Sequence, residues 1–266
     1  MSARALLLDL RRSRTLLGWL VVITAAYAGF ITVFYTNVAE NAEEFEKLLE
    51  VYPKELLIAF GIEGNFADPG VFLSGYVFSF LWPLIAAIGA IALATRIAAD
   101  VDRGFLDIVL ATRLPRVRHL AASIGSQALG IGLLAGTMVG AIVLADLLIE
   151  PDFPTARVLA AGVHAFAFGA AIAGPATLFA VVFLDRGRAA GIVAGVLVLM
   201  YLLNVVAALA PEVDALATIS AFRYFDVRDL IGDGAYPVGD SLLLGGVGAA
   251  GWALSLLVFR RRDLAA

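Results

Sequence analysis

Apolar residues in this chain gather into long uninterrupted blocks, divided by short polar or charged segments. Six blocks are long enough to cross a bilayer core, which takes about 20 residues: 16–35, 71–95, 120–149, 158–184, 189–210 and 242–259. The pattern predicts one all-α, polytopic transmembrane domain of six helices, with short interfacial helices in the loops. The block 120–149 is longer than a core needs at about 1.5 Å per residue, so its first turns are expected in the interface. The first block exceeds the apolar run of about 7–15 residues in a cleaved signal peptide, and no clear small-residue cleavage site follows it. Ahead of it, Leu6, Leu7 and Leu10 recur at helical spacing among arginines. Segment 3–14 therefore reads either as a helix lying flat in the headgroup layer or as a simple positive anchor for the first span.

Composition narrows the chemistry. Hydrophobic residues make up 61% of the 266 and charged residues only 16%, against about 45–50% and about 25% in soluble domains. Soluble enzymes, disordered chains and collagen-like chains are excluded. With no cysteine, so are disulfide scaffolds, zinc-thiolate sites, iron–sulfur clusters and cysteine nucleophiles. Two histidines leave little for a histidine-based metal site.

The net charge of −4 conceals an asymmetry. With the N-terminus inside, the inner segments hold 14 of the 19 basic residues and 6 of the 23 acidic ones. The two sides then carry +8 and −12, and the excess of arginine inside predicts an N-in, C-in topology. Seventeen arginines against two lysines, with abundant alanine, fit a GC-rich prokaryote.

The outer segment 37–70 is acidic through Glu40, Glu43, Glu44, Glu46 and Glu50, then apolar at Leu56–Phe60. A surface helix followed by a membrane-dipping one is expected there. The outer segment 211–240 mixes aromatic and charged residues, as interfacial helices do. Arg223 and Asp226 are i,i+3 neighbours, and Asp229 lies near Arg228. Local ion pairing is the plain expectation, and a lid over an exit path the functional one. Inside, the loop 96–119 begins with clustered charges, continues through an apolar face of Phe105, Leu106, Val109 and Leu110, and turns at Pro115. It reads as a short helix along the membrane with one face free for a partner.

Much chemistry is absent. No G-x-x-x-x-G-K-[ST] occurs, and the only lysines, Lys47 and Lys54, lie in the acidic outer segment, so this chain binds no ATP through a P-loop. There is no G-x-S-x-G elbow. Ion-coupled carriers place ionisable groups near the bilayer centre. Here Asp146 and His164 fall within apolar blocks, each within about two turns of the outer end. Ser74 and His164 share that depth, so a serine–histidine dyad is one reading, without a recognisable oxyanion hole.

Gly187, Gly191 and Gly195 recur every four residues into the fifth block, and Gly132, Gly136 and Gly140 do so in the third. Such rows permit close helix approach, either between chains or within one. Pro83 and Pro175 are expected to kink their spans. Trp82, Tyr201 and Asn204 put polar groups into spans two and five, where they either line a path or pack in the core.

At the inner loop the chain resembles the permease subunits of type-two ABC exporters. The family pattern there is an acidic–basic cluster, Gly-Thr-Leu-Glu, a leucine run and a Thr-Pro-x-Ser-Arg turn. Asp102-Arg103-Gly104-Phe105-Leu106-Asp107 stands in the first position, Ile108–Thr112 in the leucine run and Arg113-Leu114-Pro115-Arg116 in the turn. Phe105 replaces the threonine, Arg113 the proline, and Pro115 takes the serine position. The lysine that often follows in span three is missing. The outer stretch Tyr52–Gly61 and the ending Phe259–Leu264 are also similar to the family's. The resemblance implies a half-transporter that joins a second permease chain, identical or not, and two copies of a separate ATPase holding ATP and Mg. It assigns Asp102, Arg103, Gly104, Phe105, Leu106, Asp107, Val109 and Leu110 to an ATPase-coupling helix. It places the path where spans two and five meet, which makes Trp82, Tyr201 and Asn204 candidate lining residues. Gly187, Gly191 and Gly195 are candidate dimer-packing residues. An ion-coupled secondary carrier, an intramembrane enzyme using Ser74 and His164, and a non-transporting membrane anchor or assembly factor are the alternatives. No cofactor, metal or nucleic acid is expected on the chain itself.

Overall fold

The computed structural model describes residues 3–53, 57, 68–102, 116–149, 153–210, 212 and 214–261. In chain order its elements are α1 (Ala3–Glu40), α2 (Ala42–Glu50), α3 (Pro69–Leu73), a π-helical stretch (Ser74–Leu81), α4 (Trp82–Ala94), α5 (Arg96–Asp102), α6 (Arg116–Ile149), α7 (Thr155–Phe183), α8 (Arg186–Leu209), α9 (Asp214–Ala217), a 3-10 turn (Ala221–Tyr224), α10 (Arg228–Gly232) and α11 (Val238–Arg261). Among the described residues six helical runs are long and apolar enough to cross a membrane, and Pro69–Val101 counts as one of them. Each contains, to within a residue or two, one of the six apolar blocks. The chain is a multi-pass membrane protein with short helices in its loops.

α1 is one unbroken helix of 38 residues, roughly 57 Å long. Segment 3–14 is therefore the start of span one, not a separate helix lying in the membrane plane. α2 supplies the acidic surface helix; the apolar stretch at 56–60 lies outside the described residues apart from Leu57. α3 starts at Pro69, whose missing N–H costs nothing in a first turn, and Asp68 caps it by accepting from Gly70 N at 2.7 Å. Ahead of Pro83 the helix widens, and Trp82 N–H reaches back five residues to the Val77 carbonyl. α7 runs through Pro175 as one helix and ends at Leu184 in the left-handed region (φ 53°). Asp185 then caps α8, accepting from Arg188 N at 2.8 Å. Two residues thus reverse the chain between spans four and five.

α7 is the axis of the bundle, in contact with α4, α6, α8 and α11, while α1 packs along α6. Many of its inward positions are small: Ala161, Ala165, Ala170, Ala173, Ala176 and Ala180 are buried. The closest approach is to α11. A Cβ at Gly174 would fall on the Gly248 carbonyl, one at Gly248 would stand 2.6 Å from Ala170 backbone, and one at Gly251 would collide with Gly174. The glycine rows singled out in the sequence behave otherwise. Gly136, Gly140, Gly191 and Gly195 face open space, Gly187 has only its neighbour Asp185 within 4 Å, and Gly132 touches only the Phe166 ring. Intramolecular packing therefore does not account for either row. A buried polar tie locks the same helices: Gln127 Oε1 on α6 accepts from Thr177 on α7 at 2.8 Å and from Trp252 Nε1 on α11 at 3.0 Å.

Gly174→Ala is expected to lower the stability of the purified protein by about 1–3 kcal/mol, because backbone rather than a flexible side chain must yield. Gly191→Ala, into open space, should stay within about 0.5 kcal/mol. Reversible unfolding in mixed micelles measures both, and equal effects would refute the α7–α11 contact.

Candidate functional site

Two features stand out: a lateral groove, and a buried charge cluster at the end of the bundle that carries the N-terminus.

The groove of about 520 Å³ lies between the helix around Pro83, the C-terminal half of α8, and the loop 222–228. Its floor is apolar, with Phe80, Leu84 and Leu197 among the lining residues. Tyr201 and Asn204, three residues apart and hence on one face of α8, both line it. Tyr201 meets the Phe222 ring edge-on, with centroids 5.5 Å apart. Trp82 does not line the groove. It is fully buried, and its indole N–H donates to the Ala165 carbonyl at 3.0 Å. A buried indole needs an acceptor, and the second lone pair of the helical Ala165 carbonyl supplies it, so this bond pins span two to α7. Trp82 belongs to the core.

The groove's rim carries charge. Arg223 forms a two-pronged pair with Asp214, one contact at 3.0 Å, rather than with Asp226 as helical spacing suggested. The chain folds back between α9 and the 3-10 turn and brings residues nine apart together. The bonded guanidinium holds the Asp214 carboxyl below the ordinary carboxylate range. Asp226 instead caps α10, accepting from Arg228 N at 2.9 Å. Arg157 secures the other end of α10 through the carbonyls of Ile231, at 3.0 Å, and Gly232, the helix terminus that attracts cations.

Ser74 and His164 do not form a dyad. The Ser74 hydroxyl donates to Val71 O at 3.0 Å. His164 Nδ1 lies 2.7 Å from Ser241 Oγ, which reaches Tyr236 OH at 3.1 Å. The imidazole is buried and stacks on Phe225, with ring centroids 5.3 Å apart. Asp146 accepts from Phe153 N at 3.4 Å at the turn into α7. Both residues close the acidic end of the bundle. Among the described residues no group of three His, Cys, Asp or Glu is placed to hold a metal ion.

At the opposite end, α5 carries the start of the loop 96–119. Of the residues assigned to a coupling helix, Asp102 ends α5, and Arg103, Gly104, Phe105, Leu106, Asp107, Val109 and Leu110 lie outside the described residues. The root of the loop is built of charge. Asp100, only 3% exposed, accepts from both nitrogens of the Arg12 fork, at 3.0 and 2.6 Å. His119 Nε2 at the start of α6 stands 3.8 Å from the same carboxylate. Arg96, one turn back on α5, donates to the Asp9 carbonyl at 2.9 Å and to the Ser13 hydroxyl. The Asp9 carboxylate accepts from Ser126 on α6. Beneath these charges, Ile97, Ala98, Leu120, Ala180, Val181, Ala189 and Phe259 form a separate apolar cluster.

Sequence reasoning placed Arg12 and Arg96 only as orienting positive charges. The available signal was spacing: Asp9 and Arg12 lie three apart and Arg96 and Asp100 four apart, so each helix shows both signs on one face.

Trp82→Phe, which removes the indole donor to the Ala165 carbonyl, is expected to cost about 1 kcal/mol of stability. Asn204→Ala, on the groove wall, should change it by less than about 0.5 kcal/mol. Unfolding of the purified chain compares them; equal losses would make Asn204 a core residue as well.

No protein-family model matches this chain, and no curated protein matches it.

Proposed function

We propose that this chain is the permease subunit of an ATP-driven export transporter of the type-two ABC class, set N-in and C-in in a prokaryotic cytoplasmic membrane. It would work as a half-transporter, paired with a second permease chain and two copies of a separate ATPase that holds ATP and Mg. The observation that carries the reading is the braced root of the loop 96–119. A loop with an amphipathic, partner-seeking sequence springs from two helices, α5 and α6, that are charge-locked to α1. A loop that only joined two spans would need no such platform. The basic character of that end and the lack of a P-loop lysine fit a chain that borrows its energy from a cytoplasmic partner. The groove on spans two and five, with Tyr201 and Asn204 in its wall, supplies a surface where two permease chains would enclose a path.

ATP binding would close the partner ATPases, and the loop would carry that closure into the spans. The ATPase supplies the bias through its differential affinity for the two permease states. Gentle detergent purification of the tagged chain from native membranes is expected to bring down a stoichiometric ATP-binding subunit with vanadate-sensitive hydrolysis. A chain that purifies alone, without hydrolysis, would refute the reading and favour an ion-coupled carrier. Phe105→Ala, removing an aromatic anchor, should weaken ATPase binding by about 2 kcal/mol, roughly 30-fold in affinity, with membrane insertion unchanged.

A further inference from the structure

We propose that the Arg12–Asp100 pair is a mechanical clamp that makes α1 and the root of the loop 96–119 move as one body. Arg12 and Asp100 are then positioning residues for coupling. The clamp follows from geometry alone; its part in transport rests on the export-permease reading.

The root of the loop is held in two ways. Its underside meets α6, α7, α8 and α11 through the apolar cluster of Ile97, Ala98, Leu120, Val181, Ala189 and Phe259. Apolar contact is non-directional, so it holds α5 against those helices without by itself fixing its orientation. The upper side is different. A guanidinium fork on a carboxylate is bidentate and fixes orientation as well as distance. Asp100 is buried while the Arg12 side chain stays 34% exposed, so parting them leaves one desolvated carboxylate without its closest counter-charge. Small displacements of α5 relative to α1 are therefore strongly opposed. Arg96 repeats the tie one turn away, through the Asp9 carbonyl and Ser13. Two ties a turn apart resist rotation, which a single pair does not. The charged groups facing the clamp are Asp9 on α1, Arg96 on α5, His119 on α6 and Arg186 on α8. Asp9 on α1 and Asp100 on α5 are thus each met by an arginine of the other helix.

A force applied at 103–115 would then reach α1 directly. Because α1 packs along α6 over much of its length, the motion would pass down the bundle on that side.

Hydrogen–deuterium exchange of the purified full-length chain tests the clamp without the ATPase. Arg12→Ala and Asp100→Asn are each expected to raise exchange together at residues 6–13 and 96–102. The swap Arg12→Asp with Asp100→Arg is expected to restore both. Exchange that rises on one side only, or a swap that restores nothing, would overturn the clamp. Arg12→Lys keeps the charge but not the fork, so it should fold and show an intermediate rise.

In the complex with its ATPase, the single variants should still hydrolyse ATP but transport about tenfold less substrate per ATP, within the usual range of coupling energies. The swap should recover it. A merely structural role would lower hydrolysis and transport in proportion, and that result would overturn the coupling assignment while leaving the clamp itself to the exchange measurement. Absence of any ATPase partner would refute the transport reading alone.

Discussion

Backbone amides inside hydrocarbon have no water to bond, so each span must satisfy them within its own helix, and helices so closed attract one another only as far as their surfaces allow close contact. The approach of α7 to α11 is where that contact is tightest. Gly174, Gly248 and Gly251 let backbone meet backbone, and the Gln127–Thr177–Trp252 tie closes the same joint with polar atoms. With α7 thus held, its alanine-rich faces become the surface against which α4, α6 and α8 are placed. The Trp82 bond to Ala165 then uses a backbone oxygen of that same axis.

Charge is expelled to the ends, and the two ends use it differently. At the acidic end, Arg157 and Asp226 terminate α10 and Arg223 holds Asp214. These are local devices that shape a short loop over the groove. At the basic end, Arg12, Arg96, Asp9 and Asp100 link helices that lie 88 residues apart in sequence. The same Coulombic attraction that is worth little at an exposed surface becomes specific here, because the carboxylate of Asp100 is out of water. The consequence is a directional tie at a corner whose other contacts are apolar.

α8 stands apart from the other spans. It is the least buried of the six, leans on α7 and the short loop helices, and leaves Gly191 and Gly195 bare. Its Tyr201 and Asn204 face the groove beside span two. A helix so little covered by its own chain has surface to offer to lipid or to another protein. That is the physical content shared by the glycine row and the groove.

The positions of the spans, their helical state and the split of charge between the ends were all legible in the sequence. Each follows from composition along one line: a block of apolar residues either is or is not long enough to cross a bilayer. Which face of each span turns inward was not legible. In a soluble helix the apolar stripe announces the core, but lipid is as apolar as a neighbouring helix, so spans that are apolar all round carry no such mark. That is why Trp82 and Tyr201 looked alike as polar positions, although one is buried against Ala165 and the other lines the groove. It is also why the glycines that pack closely were not the ones with the regular four-residue spacing. The partners of Asp9, Arg12, Arg96, Asp100 and His164 likewise depended on which helix ends came together. Helical spacing could say only that opposite charges shared a face. Tertiary structure chose the partner, because only burial between three helices makes one ion pair worth more than another.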